Sequence, residues 1–376
     1  MATATSILLL LSASCWALFV YPYLLYPLAL RFLSRRPVRC APIDLPVSLL
    51  FCAHNEIECL PAKLDNLREL KSRRPDLEIL VYDDASSDGT RELLAANPDL
   101  LTLLGGAQRT GKAAGMKLLV ERASGDVLVF TDANIILAID VVDRVLPYYG
   151  DPDVGGVCCT IKTKVDSASV TSQIGSAYIS IDDKLQQLES ATGNVMGATG
   201  GLFSIRRNLY PDFPDTVQDD FTASMSVIFQ GKRLVKGIDV VAYEKTISRR
   251  EEELRRKMRI GARAYHTHAF LRHQIRRMSA RDKFKYVSRK VLRWYGGLFL
   301  ALGGVFALAA VATVSPAAAL GALVILALAI AASMRVSAGY LATAREVTLA
   351  IMATFAGVLQ GMRGRSVAVW APAKSR

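Results

Sequence analysis

In the stretch VFTDANIIL, residues 129–137, an apolar run ends on Asp132 and Asn134 before apolar character resumes. A carboxylate and an amide two positions apart offer the oxygen donors that hard divalent cations take. Asp132 and Asn134 are therefore candidate ligands of Mg2+ or Mn2+, with Asp132 carrying most of the binding because Asn134 is neutral. In extended backbone, residues two apart face the same way. YDDASSDGT places Asp83 and Asp84 where a strand meets a turn, and CAHNE places His54, Asn55 and Glu56 at an earlier strand end. Together these point to a base-and-ribose pocket, because carboxylates accept ring N–H groups and sugar hydroxyls. Plain turn and cap chemistry is the alternative. In AQRTGKAAG, residues 107–115, Arg109 and Lys112 stand where a helix opens and backbone N–H groups attract anions. Gly106 to Lys112 has the spacing of a P-loop, but Ala113 replaces the Mg2+-binding hydroxyl, so a P-loop ATPase is excluded.

The segments that must position these residues alternate between strand and helix from 45 to 245. PVSLLFCAH, LEILVYDD, LLTLLGG and GDVLVFTDAN read as strands, with helices near Glu56, after Gly89, over GKAAGMKLLVERA and from about Ile139. Short apolar runs alternating with helices predict an α/β domain built on a mostly parallel sheet covered on both faces. Ligands of such sheets bind beyond the carboxyl ends of the strands. The polar clusters at 54–56, 83–84 and 132–134 would then converge on one edge.

The chain is 51% hydrophobic over 376 residues, with mean hydropathy +0.26, and the excess lies towards its two ends. Residues 6–30 carry no charge and are long enough to cross a bilayer. Arg31, Arg35, Arg36 and Arg39 follow, favouring a cytoplasmic place for what comes next. A cleaved signal peptide is the rival, and its basic start and small-residue cleavage site are not evident. Residues 295–334 read as two spans broken at Ser315-Pro316, and 346–361 either spans or lies in the interface. The net charge of +12 sits in 249–293, which holds 16 Lys/Arg against 4 Asp/Glu, while the rest balances. Because this segment leads into a span, membrane lipids and phosphorylated substrates are the expected partners, and nucleic acid is not. The six cysteines show no metal or redox spacing and read as reduced thiols. The expected organisation is an anchor over 1–31, a catalytic domain over 45–248, basic amphipathic helices over 249–293 and a membrane region over 294–376. A transporter is disfavoured, since the spans carry few ionisable groups.

CAHNE, VYDDASSDGT, GKAAG and FTDAN, in this order and spacing, together with the segment ATGGLFSIRRNLYPDFPDTVQDDF, resemble family 2 glycosyltransferases of GT-A fold. The membrane arrangement resembles the cellulose, hyaluronan and chitin synthase branch. The resemblance implies that Asp83 and Asp84 hold uridine and ribose, and that Lys112 lies by the diphosphate. It also implies that Asp132 and Asn134 stand at the metal-binding D-x-D, and that Asp220 is the catalytic base with Asp219 beside it. Arg259 matches an arginine that meets the diphosphate, whereas Ile260 stands where processive members place a stacking aromatic; Trp294 or Tyr265 would have to serve instead. The implied activity is metal-dependent, inverting transfer from a UDP-sugar to a saccharide or lipid-linked saccharide, in an enzyme of the bacterial inner membrane with its catalytic domain cytoplasmic. The expected role is polysaccharide synthase-like, in surface or exopolysaccharide synthesis with a second copy or an export partner completing a channel, and single addition to a lipid-linked acceptor is the alternative. A nucleotide-binding scaffold without activity is the alternative from another class.

Overall fold

The computed structural model describes residues 2–164, 170–245, 249–336 and 339–364; the expected domain junction at 248 lies outside them. An eight-stranded sheet has the order β3-β2-β1-β4-β7-β6-β8-β5. Its strands are β1 (Val47–Ala53), β2 (Glu78–Asp84), β3 (Thr102–Gly106), β4 (Val127–Thr131), β5 (Ile136–Leu137), β6 (Val154–Lys164), β7 (Leu202–Arg206) and β8 (Arg233–Lys245). The first four pair in parallel, as the alternating pattern predicts. β7 runs antiparallel to β4 and β6, and β5 antiparallel to β8.

Period-two alternation splits the strand side chains between two cores. Leu49, Phe51, Ile79, Val81, Val127 and Val129 face α3 (Leu60–Arg73), α4 (Thr90–Ala95) and α6 (Val141–Val145). Leu50, Leu80, Tyr82, Leu128 and Phe130 face α5 (Lys112–Arg122), α8 (Asp219–Phe229) and α9 (Arg250–Arg277). Helix α3 begins at Leu60 rather than near Glu56, and α6 at Val141 rather than Ile139. In both places a backbone turn comes first, Cys59 N donating to Glu56 O at 3.1 Å and Val141 N to Ala138 O at 3.0 Å.

Around this domain lie α1 (Ala2–Val20), α2 (Leu25–Arg31), α7 (Val170–Ala191), α10 (Ala280–Tyr286), α11 (Leu292–Trp294), α12 (Gly296–Val314), α13 (Pro316–Arg335) and α14 (Tyr340–Met362). Among the described residues α1, α12, α13 and α14 are long and apolar enough to cross a membrane. The uncharged run 6–30 is not one helix: it breaks after Val20 and restarts at Leu25. Pro22 and Pro27, lacking N–H groups, account for the interruption. The break at Ser315-Pro316 is as expected, with the Ser315 hydroxyl capping α13 by accepting from Ala318 N at 3.2 Å. α1 and α12 pack closely, Ser12 donating to Gly303 O at 2.9 Å.

Helix α14 runs beside α9 in the same direction: Arg250 meets Glu346 at 2.5 Å, and Gly361 lies against Ala262 further along. Small residues permit this approach. A Cβ on Gly357 would overlap the Met258 carbonyl oxygen, and one on Gly261 the Thr354 carbonyl oxygen. Gly357→Leu is expected to destabilise the protein by about 1–3 kcal/mol, the usual cost of overpacking. Gly304→Leu, whose site is open space, should leave the thermal midpoint in detergent unchanged; equal midpoints for the two variants would disprove this packing.

Candidate active site

The carboxyl ends of β1, β2 and β4 lie side by side, and each delivers polar groups to the same edge of the sheet. After β1 and β2 the chain turns through left-handed backbone at Asn55 (φ 54°) and Ala85 (φ 54°), a conformation uncommon outside glycine. The two turns are knitted together. Asn55 N donates to Ser86 Oγ at 3.0 Å, and Ser87 N donates to Asn55 Oδ1 at 2.8 Å. Glu56 N donates to Thr90 Oγ1 at 2.9 Å, and His54 Nδ1 lies 2.8 Å from Asp84 O. His54, Asn55 and Glu56 thus build the wall of the β2 turn with their main-chain and side-chain bonds.

Asp84 organises the anion-facing loop. Its Oδ1 accepts from Thr110 N at 2.7 Å and Gly111 N at 3.0 Å, and Arg109 lies 3.6 Å from Oδ2. Asp83 is fully buried; Oδ2 accepts from Arg91 at 3.3 Å, while Oδ1 has no partner. Such a buried, unsatisfied carboxylate oxygen costs free energy unless a ligand donor reaches it.

From the start of α5 the Lys112 ammonium contacts Asp132 at 2.7 Å and Asp219 at 3.7 Å. Burial pulls its pKa down, but the charges of Asp132, Asp219 and Asp220 outweigh burial and hold it above the ordinary lysine value. One cation therefore ties the end of β4 to the first turn of α8. Asp219 and Asp220 form the first two positions of α8. Asp220 accepts from Phe221 N at 2.7 Å. Burial, and then the adjacent Asp219 charge, raise its pKa above the usual carboxylate range. A Cβ on Gly200 would sit 2.7 Å from Asp220 Oδ2, so glycine there keeps that oxygen clear.

Asp132 and Asn134 sit on a turn closed by Ile135 N donating to Asp132 O at 3.2 Å, not on extended backbone. The two side chains differ in consequence: that of Asp132 is 34% exposed, whereas the Asn134 amide is buried with neither Oδ1 nor Nδ2 hydrogen-bonded. Among the described residues no three His, Cys, Asp or Glu side chains are grouped to hold a metal. The donor set is one half-exposed carboxylate, paired with Lys112, and one buried amide oxygen without a hydrogen bond. That set fits a divalent cation whose remaining ligands are phosphate oxygens and water, as Mg2+ commonly requires.

Arg255, Arg259 and Arg263 recur every four residues and so could share a helical face turned to lipid headgroups, but Arg263 is buried, and with Thr267 it holds the segment that leads into α8. Arg263 donates to Val217 O at 2.8 Å, and Thr267 Oγ1 accepts from Gln218 N at 2.9 Å, so two positions one turn apart on α9 fix the entry to α8. Their i, i+4 spacing was the signal available. Arg259 lies one turn earlier on the same helix. A second buried cluster joins α2, α7 and the π-helical turn Val287–Val291. There Arg289 pairs with Asp182 at 2.7 Å and also with Glu189, and Tyr26 donates to Glu189 at 2.5 Å.

The Glycosyl transferase family 2 pattern matches residues 48–213. The chain carries a family 2 glycosyltransferase domain. The match takes in His54, Asp83, Asp84, Lys112, Asp132 and Asn134 and stops short of Asp219 and Asp220. A beta-monoglucosyldiacylglycerol synthase of Trichormus variabilis is 27% identical over 190 residues, which is 49% of this chain and 40% of that one. An N-acetylglucosaminyltransferase of Bradyrhizobium elkanii is 34% identical over 86 residues, or 21% and 46% respectively. The chain thus spans less than half the length of the curated relatives it matches. A mannosyltransferase from Pyrobaculum calidifontis, solved in complex with GDP-Man and Mn2+, superposes with TM-score 0.73 at 24% identity, over 96% of this chain and 100% of that one. The fold of the glycosyltransferase domain is GT-A.

Asp84→Ala removes the acceptor of two backbone N–H groups in the 110–111 loop. A loss of about 1–3 kcal/mol in stability is expected, with faster amide exchange at Thr110 and Gly111; protection equal to the unmutated protein would refute this role.

Proposed function

We propose that the protein is a membrane-bound, metal-dependent inverting glycosyltransferase that moves a sugar from a UDP-sugar to a lipid or lipid-linked saccharide acceptor. The observation that carries the reading is the single connected site in which Lys112 links Asp132 to Asp219, next to a protonation-prone Asp220. Asp83 and Asp84 bind uracil and ribose at the end of β2. Arg109 and Lys112 bind the diphosphate, with Arg259 approaching from α9. When the donor arrives, phosphate oxygens replace one of the Lys112 carboxylate partners. Asp132 and Asn134 would hold the Mg2+ or Mn2+, which when bound stabilises the negative charge of the departing diphosphate.

Asp220 takes the proton from the acceptor hydroxyl as that oxygen attacks the anomeric carbon opposite the diphosphate. The new C–O bond forms as the bond to the diphosphate breaks, which inverts the configuration, and no covalent enzyme intermediate is needed. A raised pKa makes Asp220 a stronger base than an ordinary carboxylate, and a general base is worth roughly 10²–10⁴-fold in rate.

The membrane placement follows from α9. Its first half, REEELRRKMR, is too charged for hydrocarbon, and α14 lies along it. We place α1, α12 and α13 across the bilayer and α14 in the headgroup layer with α9. The catalytic domain is then on the inner-membrane face that the arginines after α1 mark as cytoplasmic. Three crossing helices leave one chain without a channel, and Ile260 offers no stacking surface, so single addition is the better reading. The glycolipid synthase among the relatives supports a lipid acceptor. Polymer extension is the second reading, supported by the resemblance to the synthase branch, and needs a second copy or an export partner.

Purified protein incubated with Mn2+, a panel of UDP-sugars and diacylglycerol or lipid-linked saccharide should release UDP and yield one added sugar by mass spectrometry. A ladder of lengths would select polymerisation instead, and UDP bound without release from any donor would sink the enzyme reading. Asp220→Asn should lower the rate about 10²-fold or more. The acidic limb of the kcat/KM profile should follow Asp220, with activity lost as pH falls through its raised pKa. Asp219→Asn removes the like charge that helps to raise it, so the limb should move to lower pH; a shift to higher pH would contradict this electrostatic order.

A further inference from the structure

Behind the turn that carries Asp132 and Asn134 lies α3, and two of its polar side chains are spent on that turn's backbone. The Lys63 side chain is fully buried, and its ammonium donates to Ile135 O at 2.6 Å. One turn further on, the Asn66 amide clasps a single residue from both sides. It donates to Leu137 O at 2.8 Å and accepts from Leu137 N at 2.8 Å. The segment's other anchors are β5, two residues paired with Tyr243 and Ala242 of β8, the bond from Ala138 N to Val241 O at 3.0 Å, and the buried side chains of Ile135 and Leu137.

We infer that Lys63 and Asn66 are positioning residues for the metal-binding turn, setting where Asp132 and Asn134 stand relative to the diphosphate site. This rests on the proposed metal role of Asp132. A buried lysine is an expensive way to satisfy one carbonyl. The same space filled by an apolar side chain would pack the core equally well, against Phe51, whose ring lies 5.3 Å from the ammonium. What the ammonium adds is a directional bond to the backbone just past the ligand pair. The Asn66 amide adds a bidentate one, fixing the far end of the turn in rotation as well as distance. With both ends of 132–137 fixed, by β4 on one side and α3 on the other, a half-exposed carboxylate and a buried amide can keep one spacing without three protein ligands to define it. Bonds behind metal ligands, when removed, commonly cost 10–100-fold in metal affinity, which sets the size of effect expected.

The test uses the full chain in detergent and reads Mn2+ binding by the loss of the free-ion electron paramagnetic resonance signal in the presence of UDP. UDP binding is measured separately in EDTA. Lys63→Met and Asn66→Asp should each weaken Mn2+ binding at least about tenfold while leaving metal-free UDP affinity within about twofold. General damage to the domain would move both readouts together, and that result overturns the inference. Asp132→Ala separates the two levels: it should abolish specific Mn2+ binding. If it does so while Lys63→Met and Asn66→Asp bind Mn2+ like the unmutated protein, the brace is refuted and the metal reading stands. If Asp132→Ala leaves Mn2+ binding intact, the metal reading itself fails, and the inference with it.

Discussion

The site depends on one electrostatic constraint: carboxylates from three distant parts of the chain share one sheet edge, and they cannot crowd there without cations between them. Asp84 is neutralised by two backbone N–H groups and Arg109, Asp132 and Asp219 by Lys112. Among the described residues Asp220 has no salt bridge, and its charge is the one that burial and Asp219 disfavour. Charge is thus distributed unequally over chemically identical groups. Three of them have cations or N–H donors beside them, while burial and the Asp219 charge raise the pKa of the fourth, Asp220. A parallel sheet makes this arrangement available, because β1, β2 and β4 all end at the same edge.

The same reasoning applies at the junction between the domain and the long apolar helices. Asp182, Glu189, Arg289 and Arg293 are packed out of water with Tyr26 of α2. Replacing such a cluster by apolar groups is often neutral or stabilising, so its presence argues less for stability than for one geometry. The charges accept only one register between α2, α7 and the Val287–Val291 turn. Together with the α9–α14 contact, this gives the sheet two independent attachments to the helices that follow and precede it.

Much of this was legible in the sequence where the signal is local. The strand ends, the break at Ser315-Pro316 and the acidic and basic loops lie in short windows in which apolar runs and polar punctuation alternate. The interruption of 6–30 was written in Pro22 and Pro27, but a charge-free run conceals it when read for hydrophobicity alone. Asp220 had only the family resemblance to mark it, since an acidic pair in a first helical turn is ordinary capping chemistry. Least legible were Lys63 and Asn66. In LPAKLDNLREL they read as the solvent face of an amphipathic helix, because nothing within the helix reveals that a turn 70 residues later supplies carbonyls to them. The contacts of Arg263 and Thr267 were hidden for the same reason, their partners lying on the loop before α8.

Helix α9 ties these levels together. Arg263 and Thr267 in its middle clamp Val217 and Gln218, the two residues that lead into the first turn of α8, while the stretch up to Tyr265 lies along α14 through glycine contacts that leave no room for sliding. On the proposed reading, the helix that positions Asp220 is therefore also the helix that meets the headgroup layer beside α14. An acceptor with its hydroxyl at the headgroup layer would reach Asp220 along α9, without leaving the membrane. A sugar polymer growing in water would have no use for that coupling. This shared element, more than any single contact in the donor site, is what supports the proposed lipid acceptor.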